Sequence, residues 1–118
     1  MKIVDAHQHL WDLDLFHYEW LRQLPALNRS FRMRDYLNAA NGLAVEKSVH
    51  LEADVDEPDM VDETEHLLQL ANRTDNPLEG VVACGRPESK QFGPIWKRLR
   101  FTRNSKAFGE FCTRSPMT

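Results

Sequence analysis

Ile3-Val4-Asp5-Ala6-His7-Gln8-His9-Leu10-Trp11-Asp12 is the stretch on which the fold turns. Its opening, from Lys2 to Ala6, is a short apolar and β-branched run that stops at the polar triplet His7-Gln8-His9. Such a run reads as a strand with functional side chains at its exit. Strand side chains alternate, so His7 and His9 share a face and two imidazoles can converge there on one ion. Neutral imidazole suits Zn, Fe, Mn or Ni, and a catalytic site keeps one position open for a water that the metal makes nucleophilic. An isolated His-x-His also fits two surface residues at a strand end, so the context has to decide.

Working outward, residues 10–30 are aromatic and irregular (Trp11, Phe16, His17, Tyr18, Trp20, Pro25), long for a connection and suited to a functional loop or lid. A helix is expected from about Met33 to Ala40, with Gly42 as its left-handed cap. Ser48-Val49-His50-Leu51-Glu52-Ala53 alternates as a second strand. Asp54-Val55-Asp56-Glu57-Pro58 then opens a helix in which Met60, Leu67, Leu68 and Ala71 recur at helical spacing. Gly80-Val81-Val82-Ala83-Cys84-Gly85 is a continuous small and apolar run of the kind buried on both faces of a parallel sheet. Strand, helix, strand, helix, strand is the serial grammar of an α/β fold.

Composition agrees with a soluble globular domain: 118 residues, 42% hydrophobic and 28% charged, with 5 Gly and 6 Pro. The start lacks the apolar stretch of a secretory signal, and no run approaches membrane-spanning length, so the expected compartment is the cytoplasm. Cys84 and Cys112 are expected as free thiols. The net charge of −3 conceals a break near Pro94. Residues 1–94 carry 9 Lys and Arg against 17 Asp and Glu, whereas 95–118 carry 6 against 1.

On the residues quoted, the chain resembles the amidohydrolase-related family, and within it the lactonase-like branch that acts on sugar lactones and pyrone dicarboxylates. Asp5-Ala6-His7-Gln8-His9 looks like the family's first strand, Ser48 to Asp54 like its second, and Leu78-Glu79-Gly80-Val81-Val82-Ala83 like its third. The resemblance covers about residues 2–94. It implies the N-terminal portion, about three βα units, of a (β/α)₈ barrel with its site at the carboxyl ends of the strands. It also implies a divalent metal, Zn first, held by His7 and His9, and hydrolysis of a small-molecule lactone or amide by metal-bound water. Ser48, His50 and Glu52 are expected to point into the barrel, with Val49 and Leu51 toward the helices. Glu52 is a candidate for substrate contact or metal support, or a buried carboxylate with a neighbouring partner. Trp11 either walls the substrate pocket or packs under the loop. His50 reads as a satisfied core histidine, His17 and His66 as a loop and a helix-surface residue, and Asp5 as loop support.

A whole barrel needs about 250 residues, and the family's remaining ligands, a His from a middle strand and an Asp from the last, would come from elsewhere. No catalytic residue is identifiable within these 118. The 118 residues alone are therefore expected to bind metal weakly or not at all, to be inactive and to self-associate. Residues 95–118 show neither pattern expected of the next βα unit. Back-translated and read from the third base of each codon, Phe101 onward permits His-Pro-Lys-Leu-Lys-Gly-Ile-Arg, and Pro94 to Arg98 permits Tyr-Leu-Glu-Ala, which resembles the family's next helix and strand. A frameshifted, non-native tail is the resulting expectation. It removes the support for a nucleic-acid arm, and no membrane partner is expected. Two other readings remain: a small stand-alone binding protein whose basic C-terminal helix docks on a polyanion, and a subunit completed by a separately encoded remainder of the barrel.

Overall fold

The structure, a computed structural model, describes residues 1–100 and 109–113. Strand β1 (Ile3–Gln8) leads through a short 3-10 turn (Glu19–Gln23) to helix α1 (Met33–Ala39). Strand β2 (Val45–Leu51), a second 3-10 turn (Glu57–Asp59), helix α2 (Met60–Ala71) and strand β3 (Leu78–Gly85) follow, then helix α3 (Phe92–Arg100) and strand β4 (Gly109–Thr113). The strands form one parallel sheet in the order β1-β2-β3-β4. The α/β class is thus observed. Among the described residues no helix is long and apolar enough to cross a membrane.

Helix α1 ends where expected, and Gly42 at φ 84° supplies the left-handed turn that follows. Helix α2 buries the stripe Met60, Glu63, Thr64, Leu67, Leu68 and Ala71, a spacing of three and four that places one face on the sheet. Leu67, Leu68 and Ala71 pack there with Leu10, Met33, Leu78 and Val81. A second cluster closes the carboxyl ends of the strands, where Phe16, Tyr18 and Leu21 meet Ala53, Val55, Met60 and Cys84. The aromatic 10–30 segment is therefore packed down. Trp11 and Phe31 exchange backbone hydrogen bonds of 3.0 and 2.9 Å, and the Trp20 indole N–H donates to the Ala53 carbonyl at 2.8 Å.

Two expectations are corrected. The polar face of β2 does not look into an open interior. Ser48 and His50 are fully buried, and their register partners Leu78 and Val81 belong to the cluster under α2, so this face lies against the helices. Val49 and Leu51 occupy the other face and are only half buried. Polarity misleads here because each buried group has a partner for one of its polar atoms: the Ser48 hydroxyl donates to Gln8 Oε1 at 2.9 Å, and His50 Nε2 lies 3.2 Å from the Leu10 carbonyl.

The stretch after Pro94 was also expected to lack the next βα unit, yet α3 and β4 are both present. Phe92, Ile95, Trp96 and Leu99 recur at i, i+3, i+4 and i+7 and are half buried, while Lys97 and Arg98 stay exposed. Arg98 pairs with Glu65 of α2 at 2.7 Å, and β4 aligns with β3 from Val81↔Gly109 to Gly85↔Thr113. Lys97 and Arg98, the first two cations of that stretch, sit on the polar side of an amphipathic helix. The shifted reading from Phe101 to residue 108, and Cys112 as a thiol, lie outside the residues whose side chains are described.

Candidate functional site

The site begins with an irregularity in β1. Its register with β2 shifts between Asp5 and Gln8, so three steps on β1 match two on β2, from Ser48 to His50. Bulges of this kind re-aim side chains beside functional sites. Gln8 and Leu10 turn inward and are buried, whereas His7 and His9 project together from the exposed side. Asp5 secures the bend: Oδ1 accepts the His7 backbone N–H at 3.0 Å and Oδ2 accepts the Tyr36 hydroxyl of α1 at 2.9 Å. Burial, and then this bond to Asp5, push the Tyr36 phenol up to about 12.

His7 Nε2 and His9 Nε2 stand 3.0 Å apart, and His9 Nδ1 is 3.0 Å from the Leu51 carbonyl. A carbonyl only accepts, so His9 Nδ1 carries the proton and Nε2 presents a lone pair. Two nitrogens each about 2.1 Å from one ion would lie about 3.0 to 3.4 Å apart for angles between square and tetrahedral. The pair has that separation, and the Nδ1–H to carbonyl bond is the support metal-binding histidines commonly have. No group of three His, Cys, Asp or Glu able to hold a metal occurs among the described residues. The chain thus presents two candidate ligands and one outer support.

His50 lies behind His9, with ring centroids 6.4 Å apart. Its Nε2 donates to the Leu10 carbonyl, and Nδ1 is left without a protein partner, as is the buried Gln8 Nε2. Burial lowers the His50 pKa to about 4, so the ring stays neutral near pH 7. His50 therefore packs beneath the pair.

Glu52 follows β2 and is half buried, its Oε2 accepting the Asp54 backbone N–H at 2.6 Å. Asp54 adopts φ 54°, among the described non-glycine residues the lone left-handed conformation. Asp tolerates this region and β-branched residues do not. Asp54→Val is therefore expected to cost about 1–2 kcal/mol and Asp54→Gly little, measured as Tm. Equal losses would place the importance of Asp54 in its side chain.

Trp11 is not brought to the histidine pair. Its indole N–H donates to the Arg29 carbonyl at 2.8 Å, and its ring packs edge-on against Trp20 and Phe31. It lines a separate cavity of about 200 Å³ between the 10–34 segment and α2. Arg32 holds that segment through Asp12, at 2.6 and 2.9 Å, and through Asp14. The Arg32 hydrogen bond keeps the Asp12 carboxyl below its ordinary range.

One functional candidate escaped the sequence reading. Glu63 is 3% exposed, and its carboxylate accepts a hydrogen bond from the buried Tyr18 hydroxyl. Burial raises its pKa to about 7. The signal was available, because Glu63 falls on the same stripe as Met60 and Leu67 and so had to be buried.

No family model matches the chain. An uncharacterized protein, y4mH, of Sinorhizobium fredii is 32% identical over 91 residues, which span 70% of this chain and 30% of that protein. Amidohydrolase 2 from Bifidobacterium longum subsp. infantis is similar in structure, with a TM-score of 0.60 and 25% identity over 73% of this chain and 34% of that one. The chain spans about a third of the length of each. Its α/β arrangement is therefore related to that of an amidohydrolase.

Proposed function

We propose that these residues supply the first part of a lactone-hydrolysing site of the amidohydrolase type, with His7 and His9 as two ligands of a divalent metal, zinc first. The observation that carries this is the convergence of the two Nε2 atoms at the exit of β1, with His9 Nδ1 fixed on the Leu51 carbonyl. The structural relation to an amidohydrolase supports the reaction class. A bound ion supplies Lewis acidity there, lowering the pKa of water and polarising a carbonyl. The chain's own part is orientation: Asp5 holds the bulge that aims His7, and Leu51 selects the tautomer that leaves His9 Nε2 able to ligate. His7 Nε2–H donates to His9 Nε2, so His7 would ligate through Nε2 only in the tautomer that carries its proton on Nδ1.

In this proposal the remaining ligands lie in other strands of a (β/α)₈ barrel, and the chain alone is an inactive, cytoplasmic piece that self-associates through uncovered surface. Val4 of β1 and Leu43 just before β2, both well exposed, fit that picture. The readable third-base frame supports a frameshift as the origin of the tail. A second reading has the two histidines contact substrate directly with no metal.

Coding DNA read across Pro94 is expected to spell the family's next helix and strand in the shifted frame. The product extended in that frame, loaded with zinc, is expected to open a γ- or δ-lactone. His7→Ala and His9→Ala should each lower kcat/KM at least about 100-fold, the upper end of what losing an outer partner costs. Codons unable to spell that strand would remove the frameshift, and hydrolysis indifferent to both substitutions would overturn the site. Full activity after exhaustive chelation would favour the metal-free reading.

A further inference from the structure

The cavity between the 10–34 segment and α2 includes neither His7 nor His9 in its lining, so what it binds is independent of the lactonase reading. Its walls are apolar, formed by Leu10, Phe16, Met33, Leu67 and Leu70, with Tyr18 and Glu63 also lining it. Glu63 is the anomaly. Its carboxylate is removed from water, accepts the Tyr18 hydroxyl, and has no cationic side chain paired with it among the described residues. The charges that act on it are those of Glu52 and Asp59, both anionic. A buried carboxylate without a counter-charge is costly, and a cation bound on its open side would offset that cost.

The other charges around the cavity do not serve. Arg32 is engaged by Asp12 and Asp14, and Asp12 is thereby neutralised. Arg34 of α1 and His66 of α2 are solvent-exposed, with the His66 ring edge-on to Phe16. An apolar cavity of about 150 Å³ accommodates benzene, so about 200 Å³ has room for a ring with a short polar arm. We propose that this cavity binds an organic monocation of arylmethylamine size, its ammonium on the Glu63 carboxylate and its ring among the apolar walls.

Benzylamine, benzyl alcohol and benzoate share a ring and differ in charge, which makes them the probes. They are titrated against the 118-residue chain at pH 8, where the Glu63 carboxyl is ionised, by ligand-observed NMR, a readout that tolerates self-association. Benzylamine is expected to bind at least about 10-fold more tightly than benzyl alcohol, the strength of a charge-assisted contact. Glu63→Gln should erase that difference while leaving benzyl alcohol binding in place. Tighter binding of benzoate would assign the cavity to Arg34 and overturn the proposal. So would equal affinities for amine and alcohol, no binding of any probe, or an amine preference unchanged by Glu63→Gln.

Discussion

Between pH 4.5 and 7 the unfolding free energy of Glu63→Gln is expected to rise by about 3 kcal/mol, while that of His50→Gln falls by a similar amount. Both groups are buried, and each is pushed toward its neutral form. The Glu63 pKa is raised from 4.5 to about 7, so the folded protein holds a proton that the unfolded chain has lost. Its contribution is complete below 4.5 and is lost as the pH climbs through 7. The His50 pKa is lowered from 6.5 to about 4, so the unfolded chain takes up a proton that the folded protein refuses. That contribution is complete above 6.5 and is lost as the pH falls through 4. Shifts of comparable size and opposite sign nearly cancel in the wild-type chain. Removing either group exposes the slope of the other. Urea unfolding at four pH values across this window reads both slopes, and parallel slopes in the two variants would refute the burial argument. Glutamine suits both positions, since it can still accept the Tyr18 hydroxyl at 63 and donate to the Leu10 carbonyl at 50.

Leu78→Ala is expected to remove about 2–5 kcal/mol, a large share of the roughly 5–15 kcal/mol that stabilises a domain of this kind. Leu78 is 1% exposed and begins β3 against Leu67, Leu68 and Ala71 of α2, beside its register partner Ser48. Truncation there leaves a void between sheet and helix, next to a buried hydroxyl already committed to Gln8. The neighbourhood has little freedom to collapse. Leu24→Ala, at an exposed position of the 10–30 segment, should cost under about 0.5 kcal/mol. Chemical denaturation of the two variants separates packing from hydrophobicity, and equal losses would show that α2 does not clamp β3.

Much of the fold is legible along the chain because periodicity is local. The β-branched run before His7, the cap at Gly42, the stripe from Met60 to Ala71 and the apolar stretch through Val81 each announce their element. The helix from Phe92 to Arg100 carried the same signal, obscured by its cations. The candidate site was half legible. His-x-His at a strand exit places two imidazoles on one face by alternation alone, and the structure has them 3.0 Å apart. The role of Trp11 was not legible, since one indole hydrogen bond to Arg29 sends it to a different cavity.

The α/β order, the shared face of His7 and His9, and the burial of the α2 stripe are readable along the chain, because each follows from the pitch of one element. Contacts between distant segments put Ser48 and His50 beneath the helices, orient the two histidines through Asp5 and Leu51, and bring Tyr18 to Glu63. Register shifts within β1 and between β2 and β3 reverse which residues share a face. Such shifts are fixed by contacts between strands distant in sequence, so alternation along any one strand cannot reveal them.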